Sequence, residues 1–301
     1  MRVVLLGTAA GGGFPQWNCW CQVCRVGRSN PRRALRRTQS SAAISADGER
    51  WFLLNASPDV RDQLVCLPGP IPTHTRHVPV EGIVTTDAEL DHTLGIPLLR
   101  EARSLQLYAT AAVRDILEED SRVLAVTRAF ADVTVTEITP DQRTELRYRD
   151  REVSSLSVTP FVVPAGVPRF ARSEKPGHTV GLIIRDAATS GSVAFVPGCG
   201  HLDDEMVGRL TETDLLLFDG TFWSNDELIG LGISDRTARQ MDHVPLSGPD
   251  GSLERLSSLP GRKVYTHINN TNPILLEDSP ERAAVERAGI AVGADGMSFT
   301  L

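Results

Sequence analysis

The chain has no run of about 20 continuous apolar residues, the length a membrane-spanning helix needs, so a helical integral membrane protein is not expected. Its apolar start, Val3-Val-Leu-Leu6, is too short for the core of a signal peptide and runs straight into Gly7-Thr-Ala-Ala-Gly-Gly-Gly13, which points to the cytoplasm. A basic surplus is missing too. Thirty-one Lys and Arg face 38 Asp and Glu, a net charge of −7, and partners that present phosphate backbones or anionic lipid demand the opposite balance. The locally basic stretch 25–37 reads as a solvated loop face. Cysteine is scarce and unevenly placed, with three of the five between Cys19 and Cys24 and the others isolated at Cys66 and Cys199. That pattern does not make a disulfide framework, and it fits a reducing compartment with metal-bound thiolates. No internal repeat or low-complexity tract is visible.

What remains is an ordinary globular composition, 41% apolar and 23% charged over 301 residues, enough for a substantial core. Short apolar runs of strand length alternate with helix-like segments, so the class is α/β or α+β. Strands are expected at 2–6, 40–45, 51–55, 82–85, 105–109, 133–138, 153–159, 179–184, 193–196, 215–218 and 263–266. Helices are expected at 57–64, 93–104, 111–117, 203–210, 252–258 and 280–288, the last with Ser279 as N-cap and proline at its first position. Asp47-Gly48 reads as a hairpin turn, and 68–79 and 164–176 as loops. Neither loop looks like a linker. The chain is therefore read as a single domain over 1–301, built from two halves that meet near residue 150.

Three places carry chemistry. Asp87-Ala-Glu89-Leu-Asp91-His92 packs four ionisable side chains into six residues at a strand end, where oxygen donors and an imidazole suit Fe(II), Mn(II) or zinc. The plain alternative is an acidic turn capping the next helix. Cys19-Trp-Cys21-Gln-Val-Cys24 lets one compact loop, 15–30, fold round an ion with sulfur ligands near 2.3 Å. Structural zinc is the reading favoured over free thiols or an iron–sulfur cluster. Its fourth ligand is sought in the distant segment His267-Ile-Asn-Asn270, with Asn270 as the candidate. Finally, Asp219 and His267 each end an apolar run where a strand delivers a side chain to a sheet rim, with His243 and His178 as further candidates. Trp17, Trp20 and Trp223 are read as packing residues.

The order acidic turn, His178, Asp219, His267 resembles the ligand order of the metallo-β-lactamase superfamily. The superfamily turn is His-x-His-x-Asp-His, and here Asp87 and Glu89 replace the first two histidines while Asp91 and His92 remain. A closer resemblance rests on Gly11-Gly-Gly-Phe-Pro-Gln-Trp-Asn-Cys19, Arg37-Thr-Gln-Ser-Ser41, Asn55-Ala-Ser-Pro-Asp59, Asp91-His-Thr-Leu-Gly95, Asp219-Gly-Thr221, His267-Ile-Asn-Asn-Thr-Asn-Pro273 and Asp278-Ser-Pro-Glu-Arg282. Together these strings resemble the pyrroloquinoline quinone biosynthesis protein B family from end to end.

The resemblance implies a four-layer αββα metallo-β-lactamase sandwich with a structural zinc at the cysteine loop. It also implies a part in making pyrroloquinoline quinone from a crosslinked Glu-Tyr unit excised from a precursor peptide. The implied chemistry is iron- and O₂-dependent hydroxylation of the tyrosine ring. Asp91, His92 and His267 carry over by position as ligands of the active-site Fe²⁺, for which Mn²⁺ or Zn²⁺ could stand, and Asp219 comes next. His243 is assigned to orienting a ligand or moving a proton, and Asp87 and Glu89 to the catalytic turn. Arg37, Arg61 and Arg100 are the candidate clamps for substrate carboxylates. Expected partners are a small aromatic diamino-acid substrate, other enzymes of the same biosynthesis and a second copy of the chain. Two other functions stay open: a metallo-hydrolase acting as phosphodiesterase or lactonase through metal-bound hydroxide, and a non-catalytic carrier of the quinone.

Overall fold

The structure, a computed structural model, describes residues 1–73 and 75–301. Its strands are β1 (Arg2–Gly7), β2 (Ser41–Ser45), β3 (Trp51–Leu54), β4 (Val80–Val84), β5 (Ser104–Ala109), β6 (Asp132–Glu137), β7 (Thr144–Arg147), β8 (Val153–Val162), β9 (Val180–Asp186), β10 (Ser192–Val196), β11 (Leu215–Asp219), β12 (Arg262–Thr266), β13 (Ile290–Val292) and β14 (Ser298–Thr300). They form two seven-stranded sheets, ordered β14-β1-β2-β3-β4-β5-β6 and β13-β12-β11-β10-β9-β8-β7. Each sheet pairs antiparallel strands on one side and parallel strands on the other: β3 to β6 run parallel in the first, β10 to β13 in the second. The chain passes from the first sheet to the second at 138–143 and returns to the edge of the first with β14.

Burial explains the layering. Every residue of β2, β3, β4, β10 and β11 is buried, as expected of strands covered on both faces. Along β11 the alternation sends Leu215 and Leu217 into the core between the sheets with Val3, Phe52, Leu182 and Phe195. Leu216 and Phe218 go to the outer side, under Met206, Leu210, Leu256 and Val285 of the covering helices. Val60, Val113, Leu117 and Leu124 cover the other sheet in the same way. Each fully buried aliphatic or aromatic side chain contributes about 1.5–3 kcal/mol, and three such clusters make the four layers cohere.

Several expectations need correcting. The helix expected over 93–104 is replaced by one turn at Leu90–Thr93 and a tighter one at Pro97–Leu99. Gly95 is the reason: a Cβ there would lie 2.2 Å from the Ser57 carbonyl oxygen. The chain instead closes against the 55–59 turn, with Ala56 N–H donating to the His92 carbonyl at 2.7 Å and Gly95 N–H to that of Ala56 at 2.9 Å. Pro97, with no N–H, could not continue the ladder. The 15–30 segment is not all loop, since Gln22–Ser29 is helical, capped by the Cys21 sulfur accepting from Cys24 N–H. The edge strands β7, β13 and β14, only three or four residues long, are not among the expected strands. Ser279 caps its helix as expected, accepting from Arg282 N–H. Among the described residues no helix is long and apolar enough to cross a membrane.

Candidate metal centre

Parallel strands deliver their C-terminal ends to one rim, the usual place for a ligand site in such sheets. Five chain segments meet there: 85–92 after β4, 197–199 after β10, 219–221 at the end of β11, 241–243, and 267–272 after β12. His267 adopts a left-handed backbone, φ 54°, which turns the chain sharply off β12. In the short turn Leu90–Thr93, Asp91 and His92 are neighbours on the side facing His267. The Asp91 Oδ2 lies 3.3 Å from His267 Nε2 and 3.8 Å from His92 Nε2. Ligand atoms of Asp91, His92 and His267 all fall within 4.8 Å of one another, and those of Asp219, His243 and His267 do the same.

Each imidazole is anchored through Nδ1. His92 Nδ1 meets both oxygens of buried Asp87 at 2.8 Å, and Asp87 in turn accepts from the Thr86 hydroxyl at 2.7 Å and from Glu89 N–H at 2.9 Å. Asn55 locks Thr86, accepting its N–H and donating to its hydroxyl. His243 Nδ1 meets Asp219 Oδ2 at 2.7 Å, and His267 Nδ1 meets the Thr221 hydroxyl at 2.9 Å. That hydroxyl also lies 2.6 Å from Asp219 Oδ1. A carboxylate can only accept, so the hydroxyl donates to Asp219 and receives the proton of His267 Nδ1. In all three rings Nε2 is thus the nitrogen left for a ligand, the arrangement in which a hydrogen-bonded outer partner fixes the tautomer. The rings of His243 and His267 stack with centroids 5.6 Å apart, and His92 meets His267 edge-on at 5.2 Å.

Charge is balanced tightly. Burial opposes ionisation of Asp87, yet His92 holds its carboxyl below the ordinary range, and His92 and His267 do the same for Asp91. Burial would lower His92, but Asp87 and Asp91 lift it to about 9. His243 is raised in the same way by Asp219. Burial, then Asp87 and Asp91, push Glu89 up to about 7. The residues fit a metal ion on two grounds. His92 Nε2 is a buried polar atom without any hydrogen-bond partner. The His92 Nε2 and the Asp91 carboxylate that face each other at 3.8 Å also call for a positive charge between them, which is a proton on the ring or a cation that replaces it.

The sequence-derived candidates divide cleanly. Asp91, His92, His267, Asp219 and His243 are brought together. Asp219 anchors His243 and accepts from Cys199 N–H at 3.0 Å and from Thr221 N–H, while its ligand atom stays within 4.8 Å of those of His243 and His267. Asp87 likewise anchors His92, both of its oxygens lying 2.8 Å from the His92 Nδ1. Glu89 opens into the cleft. His178 is not among the ligands; its two nitrogens lie 2.7 and 2.9 Å from the carbonyl oxygens of Lys175 and Ala165, pinning the 164–176 loop. The arginine assignments fail. Arg37 is buried beneath the rim, donating to the Thr8 hydroxyl and the Gly293 carbonyl. Arg61 lies on the short helix Val60–Val65, and Arg100 pairs with Glu101. None of the three lines the cleft. Asn55, Thr86 and Thr221 were missed as anchors, though Asn55 and Thr221 sit inside the quoted strings.

Beyond the rim, Cys19, Cys21 and Cys24 gather their sulfurs within 4.8 Å. Asn270 faces them as expected, with Nδ2 3.3 Å from the Cys24 sulfur and its carbonyl oxygen 3.6 and 3.8 Å from those of Cys24 and Cys21. Donation from the Cys21 thiol, with Asn270 assisting against burial, favours thiolate at Cys24, the form that binds metal. Trp17 and Trp20 do not pack in the core; they are 83% and 62% exposed, and Arg28 covers Trp20 at 4.4 Å.

Comparison with known proteins agrees with this architecture. The beta-lactamase superfamily domain model matches residues 50–268. Coenzyme PQQ synthesis protein B of Methylobacterium nodulans and that of Rhodopseudomonas palustris are each 43% identical over the full length of both chains. The crystal structure of Zn²⁺-bound PqqB from Methylobacterium extorquens superposes with a TM-score of 0.89 at 39% identity, covering both chains entirely. A diphosphatase of the PhnP family shares the fold, with a TM-score of 0.68 at 20% identity over 100% of this chain and 97% of its own.

Proposed function

The chain belongs to the coenzyme PQQ synthesis protein B family of the beta-lactamase superfamily, and from that premise we propose that it hydroxylates the tyrosine ring of a crosslinked Glu-Tyr intermediate at an iron centre. The observation that carries this reading is the donor set at the rim. Asp91, His92 and His267 offer one carboxylate and two imidazole Nε2 atoms, the composition of non-haem Fe(II) oxygenase sites, where the superfamily turn would offer two more histidines. When bound, the ion supplies the O₂ chemistry that ring hydroxylation requires.

The protein's own part is placement. Asp87 and Thr221 keep Nδ1 of His92 and His267 protonated and both rings fixed, so the ligand geometry is set before substrate arrives. Burial of His92 and His267 keeps bulk water from that side of the centre. Glu89, whose carboxyl opens into the cleft beside Asp91, is the group placed to take and return the phenol proton. Overall, one atom of O₂ enters the ring and the other leaves as water, the two balancing electrons coming from an added reductant.

Anaerobic loading with Fe(II), followed by the crosslinked diamino acid, ascorbate and O₂, is expected to give a product heavier by one oxygen. No product under these conditions overturns the reading. The hydrolase alternative has an observation of its own. A second group, Asp219, His243 and His267, adjoins the first and shares His267, as a two-metal hydrolytic site would. It predicts turnover of a chromogenic phosphodiester by zinc-loaded protein without O₂.

A further inference from the structure

The cleft over the metal centre has a volume of about 850 Å³. Three of its charged walls, Asp87, Glu89 and Asp91, belong to the centre. Away from it the wall changes sign, with Arg169 on the 164–176 loop and Arg236 just before the turn Arg239–Met241, and Asp242 follows that turn. Arginines elsewhere that face acids pair with them: Arg33 with Asp278, Arg114 with Glu137, Arg209 with Asp141, Arg282 with Glu277. Among the described residues, neither Arg169 nor Arg236 has a carboxylate within ion-pairing distance. Arg236 gives one N–H to the Gln240 carbonyl, which leaves most of its five donors free.

Asp242 completes the arrangement. It holds a left-handed backbone, φ 62°, which aspartate tolerates better than most residues but still at a cost. Its carboxylate lines the cleft and accepts no hydrogen bond from the described residues. A Cβ at Gly166 would stand 2.7 Å from Asp242 Oδ2, so the glycine keeps room beside that oxygen.

We infer that this outer wall reads the α-amino-acid head group of the substrate, Arg169 and Arg236 taking carboxylate and Asp242 taking ammonium while the phenol ring points at Asp91, His92 and His267. The inference rests on the proposed amino-acid substrate and adds the residues that select it. Guanidinium presents paired donors that match carboxylate geometry, and a free carboxylate beside them matches a primary ammonium. The wall therefore selects ligands with unblocked head groups and rejects those whose carboxyl or amine is tied up in an amide.

Zinc-loaded protein kept without O₂ cannot oxidise the tyrosine probes, which separates binding from chemistry. Calorimetric titration with L-tyrosine, L-tyrosinamide and N-acetyl-L-tyrosine is expected to show the parent favouring L-tyrosine over each blocked probe by about 10- to 100-fold, the range for hydrogen bonds to charged groups. Arg169→Gln and Arg236→Gln should weaken L-tyrosine and leave L-tyrosinamide unchanged. Asp242→Asn, which keeps a residue tolerant of the left-handed backbone, should abolish only the discrimination against N-acetyl-L-tyrosine. A parent that binds all three probes alike, or variants that keep its preferences, overturns the inference. Selective binding in a protein that never hydroxylates under Fe(II) and O₂ would sink the proposed chemistry and leave this head-group reading standing.

Discussion

The sulfur loop and the rim cleft are both ligand clusters, but the chain builds them in opposite ways. Cys19, Cys21 and Cys24 come from one six-residue stretch, and Cys21 also caps the helix Gln22–Ser29, so local geometry alone brings the sulfurs together. The cleft draws its donors from segments as far apart as Asp91 and His267, and each imidazole needs its own anchor: Asp87, Asp219 or Thr221. One string joins the two. His267 faces the cleft and Asn270, three residues on, touches the cysteine sulfurs. The sulfur loop thereby holds in place the segment that carries a cleft ligand, while the sulfurs themselves come together within one stretch of chain.

That asymmetry predicts a crossed result. Cys24→Ala is expected to lose the sulfur-bound ion, to cost about 4 kcal/mol or more, as loss of a structural metal does, and to loosen the cleft ion through the 267–270 string. His92→Ala should lose only the cleft ion and all turnover. Metal content per chain is the deciding measurement for His92→Ala, because removing the imidazole also strands the buried Asp87 carboxylate and lowers stability by itself. If Cys24→Ala leaves the cleft ion as tightly bound as in the parent, the two clusters are independent and the comparison collapses.

The same contrast explains what was legible in the sequence. The cysteine spacing and the capped helix after Ser279 are local signals, and the strands buried on both faces announce themselves as short apolar runs. The helix expected at 93–104 failed because the obstacle is remote: Gly95 is pressed against the backbone of Ala56 and Ser57. Arg37 failed for a related reason. Its motif lies beside the rim in sequence, but the side chain turns inward to tie Thr8 to Gly293. The cleft ligands were named by resemblance, and the residues that orient them were not, because Asn55, Thr86 and Thr221 act only through contacts made across the fold.

A milder perturbation sharpens the difference between ligands and their anchors. Asp87→Asn keeps an oxygen that can accept from His92 Nδ1 but removes the charge that raises the basicity of the ring. Changes of this kind cost about 10- to 100-fold in metal affinity. Competition with a chelator should show that loss at the cleft and none at the sulfur loop. Equal weakening at both would mean that Asp87 supports the whole rim rather than one ring.

The smallest expected effect tests the joining string through pH. Glu227 accepts from Trp223 N–H at 2.7 Å and from the Thr271 hydroxyl, next to Asn270. Burial lifts its carboxyl from 4.5 to about 7, against the pull of those donors. The folded value lies above the unfolded one, so across this window the folded protein keeps a proton that the unfolded chain has released. Stability contributed at this site therefore falls as pH rises from about 4.5 to 7 and is level above that. Glu227→Gln keeps one acceptor, for Trp223 N–H, can donate from its amide to the Thr271 hydroxyl, and has no proton to lose. Thermal melts between pH 5 and 8 should show the variant gaining on the parent by about 1–3 kcal/mol as pH rises. A parallel pair of profiles would mean that the carboxylate finds enough water in the folded protein to titrate normally, and that the string beside the sulfur loop is more open than its packing indicates.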